Sequence, residues 1–241
     1  MNGMKLICLP YAGGSAAIYT RWNNLLDSSI KLYPFELAGR GGRHNIPYYD
    51  SFKEAVDDIV RLIEEQCSQS EYAVWGHSMG SILAYELICR LQEKGIKLPV
   101  HVFFSGRYPP NVKKEDRMLH ILPEDEFERE ALKLGGIPEK LTRIKGLLRA
   151  SLQTLRADYK LLETYSPSDL KHKFNFNISV LAGNDDELAS PVDMEKWKAY
   201  CGKECNFYYF DGGHFYLYEH AENITRIIND TLCKKEGAYG R

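Results

Sequence analysis

The chain has 241 residues, 44% of them hydrophobic and 27% charged, values that suit a packed globular protein. A formal net charge of −2 and the lack of any Lys/Arg run leave no footing for nucleic-acid binding. Apolar runs such as residues 100–104 are too short to cross a bilayer, and the first residues show no secretory pattern, so a cytoplasmic location is expected.

Residues 5–9 and 30–35 read as strands. Residues 52–66 read as a helix with Phe52, Val56, Ile59, Val60 and Ile63 on one face. A strand over 72–75 leads into a helix over 79–94 that stops at Gly95, and 100–104 forms the next strand. The rhythm then breaks. Residues 111–167 hold no strand pattern and are densely charged. Glu124, Asp125 and Glu126 follow Pro123 like acids at the positive end of a helix. Ile144, Leu148, Leu152, Leu155, Tyr159 and Leu162 keep helical spacing. This segment is expected to be a helical lid, because insertions at the carboxyl ends of strands overhang the ligand crevice. Strands at 178–182 and 206–210 follow, separated by a helix over 192–200. A helix over 217–232 closes the chain ahead of a frayed tail at 234–241. The alternation implies one α/β domain over 1–241, a mostly parallel sheet with helices on both faces, carrying the insertion at 111–167.

The six cysteines have neither zinc-site spacing nor a Cys-x-x-Cys pair, so no metal site is expected, and Cys8 and Cys89 read as small core residues.

The strongest chemical signal is Gly76-His77-Ser78-Met79-Gly80, a G-x-S-x-G run between a predicted strand and a predicted helix. A strand turning that sharply into a helix strains the serine and needs small neighbours. A serine requires a base. His214, in Asp211-Gly212-Gly213-His214, follows the last strand, where a loop can bring an imidazole to the serine. His77 lies inside the turn, and its side chain is expected to point away from Ser78. The base requires an acid, and Gly183-Asn184-Asp185-Asp186 follows the strand at 178–182. Asp186 is chosen over Asp185 because its spacing leaves a full turn after the strand. The order Ser, Asp, His is that of the α/β-hydrolases. Backbone N–H groups of Met79 and Ala12 are the expected oxyanion donors, with Tyr11 and Gly13 of the loop Pro10-Tyr11-Ala12-Gly13-Gly14-Ser15 beside the substrate. Gly39-Arg40-Gly41-Gly42-Arg43 reads as a flexible connection, or as a loop that could hold a phosphate.

These residues also resemble a known family. Leu9-Pro10-Tyr11-Ala12-Gly13-Gly14-Ser15 is similar to the opening of the type II thioesterases that accompany nonribosomal peptide and polyketide synthases. Gly76-His77-Ser78-Met79-Gly80 and Asp211-Gly212-Gly213-His214-Phe215 resemble their serine and histidine segments. Leu122-Pro123-Glu124-Asp125-Glu126-Phe127, Leu134-Gly135-Gly136-Ile137-Pro138 and Leu155-Arg156-Ala157-Asp158-Tyr159 resemble their lid. Glu36-Leu37-Ala38-Gly39-Arg40 resembles their Pro-Gly-Arg/His segment, with Ala38 where proline is usual. The resemblance implies an α/β-hydrolase fold and hydrolysis of acyl thioesters on the phosphopantetheine arm of acyl or peptidyl carrier domains. It implies no cofactor beyond the arm the substrate carries. A monomer is expected, with Lys113, Lys114 and Arg117 as a docking patch for an acidic carrier.

Overall fold

A computed structural model describes residues 3–112, 118–137, 139–169 and 173–233. The expected docking residues Lys113, Lys114 and Arg117 and the tail at 234–241 lie outside them.

Strands β1 (Met4–Leu9), β2 (Ile30–Pro34), β3 (Tyr72–His77), β4 (His101–Ser105), β5 (Asn177–Gly183) and β6 (Cys205–Phe210) form one parallel sheet in the order β2-β1-β3-β4-β5-β6. Alternate strand residues serve opposite faces, as a period of two requires. Ile7, Leu9, Val74, Phe104 and Val180 join one core beneath helices α1 (Phe52–Cys67) and α2 (Met79–Lys94). Leu6, Cys8, Trp75, Phe103 and Leu181 join a second core on the other face, with helix α7 (Ala221–Leu232) and a 3₁₀ stretch, Ala16–Asn24. The inner strands β1, β3, β4 and β5 are therefore mostly buried, while the outer strands β2 and β6 are partly exposed. Cys8 and Cys89 are buried, as expected for small core residues.

Local chemistry fixes the helix ends. The Ser51 hydroxyl accepts from Glu54 N–H at 3.3 Å, while Glu54 Oε2 accepts from Asp50 N–H at 2.9 Å, so the start of α1 is capped from both sides. Helix α2 ends at Gly95, left-handed at φ 65°.

Two elements differ from the sequence expectation. The segment at 192–200 is a short helix, α6 (Pro191–Met194), tightening into a 3₁₀ stretch, Glu195–Tyr200, rather than one helix. The closing helix starts at Ala221, not at residue 217. Tyr216, Tyr218 and Glu219 instead donate backbone N–H bonds to Gly213, Phe215 and Tyr216, winding the chain through tight turns below His214. Leu217 fits a helical pattern because it packs in the second core, not because it is helical.

Among the described residues between β4 and β5 are three helices, α3 (Glu124–Lys133), α4 (Glu139–Thr142) and α5 (Lys145–Glu163). They have a small core of their own in Phe127, Ala131, Leu152 and Leu155, against which Ala12 packs. No helix among the described residues is long and apolar enough to cross a membrane.

Candidate active site

The carboxyl ends of the strands carry the site. Ser78 follows β3 directly and is the N-cap of α2. Its φ of 54° makes it the sole non-glycine residue with positive φ among the described residues. For a serine this is a strained conformation, held by the Ser78 N–H bond to Ser105 O at 2.8 Å. The flanking glycines are needed for space. A Cβ on Gly76 would lie 2.2 Å from Gly80 O, and one on Gly80 would lie 2.2 Å from Leu9 O. The turn can therefore close only with bare backbone at both positions.

The expected partners converge on Ser78. His214 Nε2 lies 2.9 Å from Ser78 Oγ, and His214 Nδ1 lies 2.8 Å from Asp186 Oδ2. A carboxylate only accepts, so Nδ1 carries the hydrogen and Nε2 is free to take the serine proton. Asp186 is 3% exposed, and its Oδ1 accepts from the N–H groups of Leu188 (2.9 Å) and Ala189 (3.0 Å). Both of its oxygens are thus committed to fixing one geometry. Asp185 is exposed and ties in through its backbone N–H to Gly212 O. Gly183 lets the acid and histidine loops approach, since a Cβ there would lie 2.6 Å from both Gly212 O and Gly213 O.

His77 is turned away, with its Nδ1 2.8 Å from Ser105 Oγ, which is 2.6 Å from the Tyr216 hydroxyl. Its ring centroid is 5.2 Å from that of His214. Burial, reinforced by His214, holds the His77 pKa well below the usual histidine value. A neutral ring there spares His214 a cationic neighbour when it takes up a proton.

Met79 opens α2, so its N–H is one of the first-turn donors that no helical carbonyl can satisfy, and it sits at the positive end of the helix. Ala12 and Tyr11 line the same cavity as Ser78 and His214. The Tyr11 hydroxyl is hydrogen-bonded to that of Tyr218. Gly13, expected beside the substrate, is placed differently. It is absent from the cavity lining, and its N–H donates to Asp158 Oδ2 at 2.7 Å.

The cavity measures about 320 Å³. The sheet edge supplies its polar end, and Leu119, Leu134, Leu155, Tyr159 and Leu162 of the insertion supply apolar walls. A mostly apolar hollow with a few convergent polar groups is suited to an acyl chain whose reactive carbon rests at Ser78. Among the described residues no cluster of three or more His, Cys, Asp or Glu side chains is placed to hold a metal.

The Gly39–Arg43 region is neither a flexible connection nor an open phosphate loop. Arg40 is buried against Asp158, and Arg43 is paired with Asp58 at 2.6 Å and donates to Glu36 O at 2.9 Å. Both cations are already neutralised. Nothing in the local sequence points from Arg40 to Asp158, which lies 118 residues away.

A family model described as thioesterase domain matches residues 4–232. The medium-chain S-acyl fatty acid synthase thioesterase of Anas platyrhynchos is 32% identical over 95% of this chain and 91% of its own length. Among solved structures, ClbQ from the colibactin NRPS/PKS pathway aligns with a TM-score of 0.90 at 33% identity, covering 95% of this chain and 96% of that one. BorB, a type II thioesterase from the borrelidin biosynthetic cluster, aligns at 0.86 and 31% identity over 95% and 93% of the two chains. With the parallel sheet and the Ser-Asp-His order, these likenesses assign the α/β-hydrolase fold.

Proposed function

The chain belongs to the thioesterase-domain family, and on that premise we propose that it hydrolyses acyl thioesters on the phosphopantetheine arm of carrier domains, through an acyl-enzyme on Ser78. The observation that carries this reading is the unbroken series Ser78–His214–Asp186, set at the polar end of an apolar cavity.

His214 Nε2 accepts the Ser78 proton as Oγ attacks the thioester carbonyl carbon. The N–H groups of Ala12 and Met79 take the developing oxyanion; a donor in this role is worth about 3–4 kcal/mol. The C–S bond breaks as the tetrahedral intermediate collapses. The thiolate needs little acid assistance, because its thiol ionises at about 8.5, and it takes its proton from His214, which leaves Nε2 free to act as base again. Water then attacks the Ser78 ester with His214 as base, and the carboxylic acid leaves while the proton returns to Oγ. Asp186 keeps the imidazole in the required tautomer and stabilises its charge throughout. No step calls on a cofactor or metal. The helical insertion is the lid of this scheme, shaping the space for the acyl chain.

ClbQ comes from an NRPS/PKS pathway and BorB is a type II thioesterase of a biosynthetic cluster, which favours a partner synthase of the peptide or polyketide kind and a housekeeping role in clearing stalled or wrongly loaded carriers. A second reading, release of finished medium-length chains, is favoured by the Anas relative and the apolar cavity walls. Measuring kcat/KM for acetyl-, propionyl-, octanoyl- and decanoyl-carrier against the same acyl groups on free pantetheine tests both. The proposal expects a marked preference for carrier-bound substrates and appreciable rates on the short acyls. Activity confined to the long acyls would support the second reading, and indifference to the carrier would contradict both.

A further inference from the structure

The catalytic scheme leaves Arg40 and Asp158 unused, yet they form a fully bidentate buried pair. Arg40 Nη1 donates to Asp158 Oδ2 and Nη2 to Oδ1, both at 2.6 Å, and the two side chains are 5% and 2% exposed. A buried ion pair is costly unless its remaining donors and acceptors are also satisfied. Here the loop after β1 supplies a partner for each, and Arg40 Nε also donates to Ala38 O at 3.5 Å. Asp158 Oδ2 accepts from Gly13 N–H at 2.7 Å, and Arg40 Nη1 donates to Gly14 O at 3.0 Å. Burial opposes the charge on Arg40, but the Asp158 carboxylate outweighs it, and the guanidinium pKa ends above its ordinary value.

The loop is clamped on several sides. Gly14 N–H donates to Tyr11 O at 2.9 Å, closing a turn around Ala12. Gly13 sits at φ 78°, where a Cβ would lie 2.9 Å from the Leu155 Cδ1 atom of α5. The residues on either side of Ala12 are thus held by bonds to Arg40, to Asp158 or within the turn. The Ala12 N–H itself has no hydrogen-bond partner among the described residues.

We propose that Arg40 and Asp158 are positioning residues for the oxyanion hole: they lock the Tyr11–Gly14 turn to helix α5 so that the Ala12 N–H faces the reacting carbonyl. This rests on the thioesterase scheme above. The pairing has an electrostatic purpose as well. A lone Asp158 carboxylate, bonded to the Gly13 N–H beside the Ala12 donor, would oppose negative charge developing at the carbonyl oxygen, and Arg40 cancels it. The pair also makes the insertion part of the catalytic geometry, because α5 contributes both Asp158 and the cavity wall at Leu155.

The test compares wild type, Asp158→Asn, Arg40→Gln and the double variant on acetyl-carrier, with Ser78→Ala run alongside. Each single variant is expected to lower kcat by about a hundredfold, the lower end of losing an oxyanion donor. KM should move by less than about threefold, since only the transition state loses its contact. The double variant should be no worse than the poorer single, because the pair acts as one unit. Affinity for a trifluoromethyl ketone, which forms an oxyanion adduct on the serine, should fall in parallel with kcat. Arg40→Lys retains the charge but not the fork, so it guards against loss of folding; it should lose about tenfold in kcat with KM unchanged. Lowered melting temperature with kcat within about twofold of wild type would overturn the inference. So would an additive double variant, or unchanged affinity for the ketone. If Ser78→Ala is inactive while the Arg40 and Asp158 variants turn over normally, this inference alone fails. If Ser78→Ala remains active, the thioesterase scheme itself fails.

Discussion

The sheet edge and the helical insertion meet around one cavity, but they are built differently. At the edge, Ser78, Asp186 and His214 sit within a few residues of the ends of β3, β5 and β6, whose backbones are fixed by parallel ladders, with β3 and β5 buried and β6 the partly exposed outer strand. The insertion rests on a core of a few side chains and leaves Ile121, Ile144 and Leu147 exposed. Polar ties do much of its anchoring. Arg156 donates to His120 O and Leu122 O, and Glu163 accepts from the N–H groups of Leu119 and His120. Atoms that must be placed to a fraction of an ångström stand on strand ends, while the surface that must suit an acyl chain is carried by helices that can vary. Changes at the edge should therefore appear in kcat, and changes in the cavity wall should appear in KM and acyl preference. The Arg40–Asp158 pair is the exception, because it ties Asp158 of the insertion to the loops at the edge.

The largest effect should come at the nucleophile. Ser78→Ala is expected to reduce kcat by at least about ten-thousandfold with the fold intact, read from thioester turnover and circular dichroism. Next is the acid. Asp186→Asn should lower kcat by about a thousandfold or more, since an amide at that position can stabilise the wrong imidazole tautomer, whereas Asp185→Asn should stay within about threefold. The reverse ranking would move the acid to the exposed neighbour. A cavity-wall change should act on the other parameter. Leu134→Ala is expected to raise KM for octanoyl-carrier by about tenfold, leave kcat within about threefold and hardly alter acetyl-carrier kinetics. A fall in kcat on both substrates would erase the distinction between wall and edge.

The smallest effect on turnover should come from His101, which lies at the far end of β4 from the site, buried with its Nε2 2.9 Å from Ser179 Oγ. Burial lowers its pKa to about 4. The folded state therefore resists protonation where the unfolded state, at about 6.5, accepts it. Stability should decline as pH falls from about 6.5 towards 4, with buried His77 contributing in the same direction. Chemical denaturation across that range should give a shallower decline for His101→Gln, with activity at neutral pH unchanged. An identical pH slope in the variant would show that His101 does not titrate as described.

Much of the edge was readable in the sequence because local sterics leave a local mark. The turn at Ser78 admits only glycine at 76 and 80, and the acid and histidine loops announce themselves as Gly–Asp and Gly-Gly-His runs after apolar strands. Helix α2 matched its expected ends, Met79 and Lys94, because a strained turn starts it and Gly95 stops it. The Arg40–Asp158 contact was not readable, since it joins an arginine after β2 to a helix formed more than a hundred residues later, and neither neighbourhood signals the other. The start of the closing helix at Ala221 is hidden in the sequence for a related reason. Burial of Leu217 reproduces helical periodicity, although residues 216–219 are wound in turns.

The most direct measurement is intact-protein mass spectrometry of an acetyl-loaded carrier, incubated with wild type and with Ser78→Ala. Wild type should strip the acetyl mass and leave the free phosphopantetheine thiol, and the variant should leave the loaded carrier unchanged over the same interval. Clearance by Ser78→Ala at the wild-type rate would contradict a mechanism in which the hydroxyl held by His214 forms the acyl-enzyme.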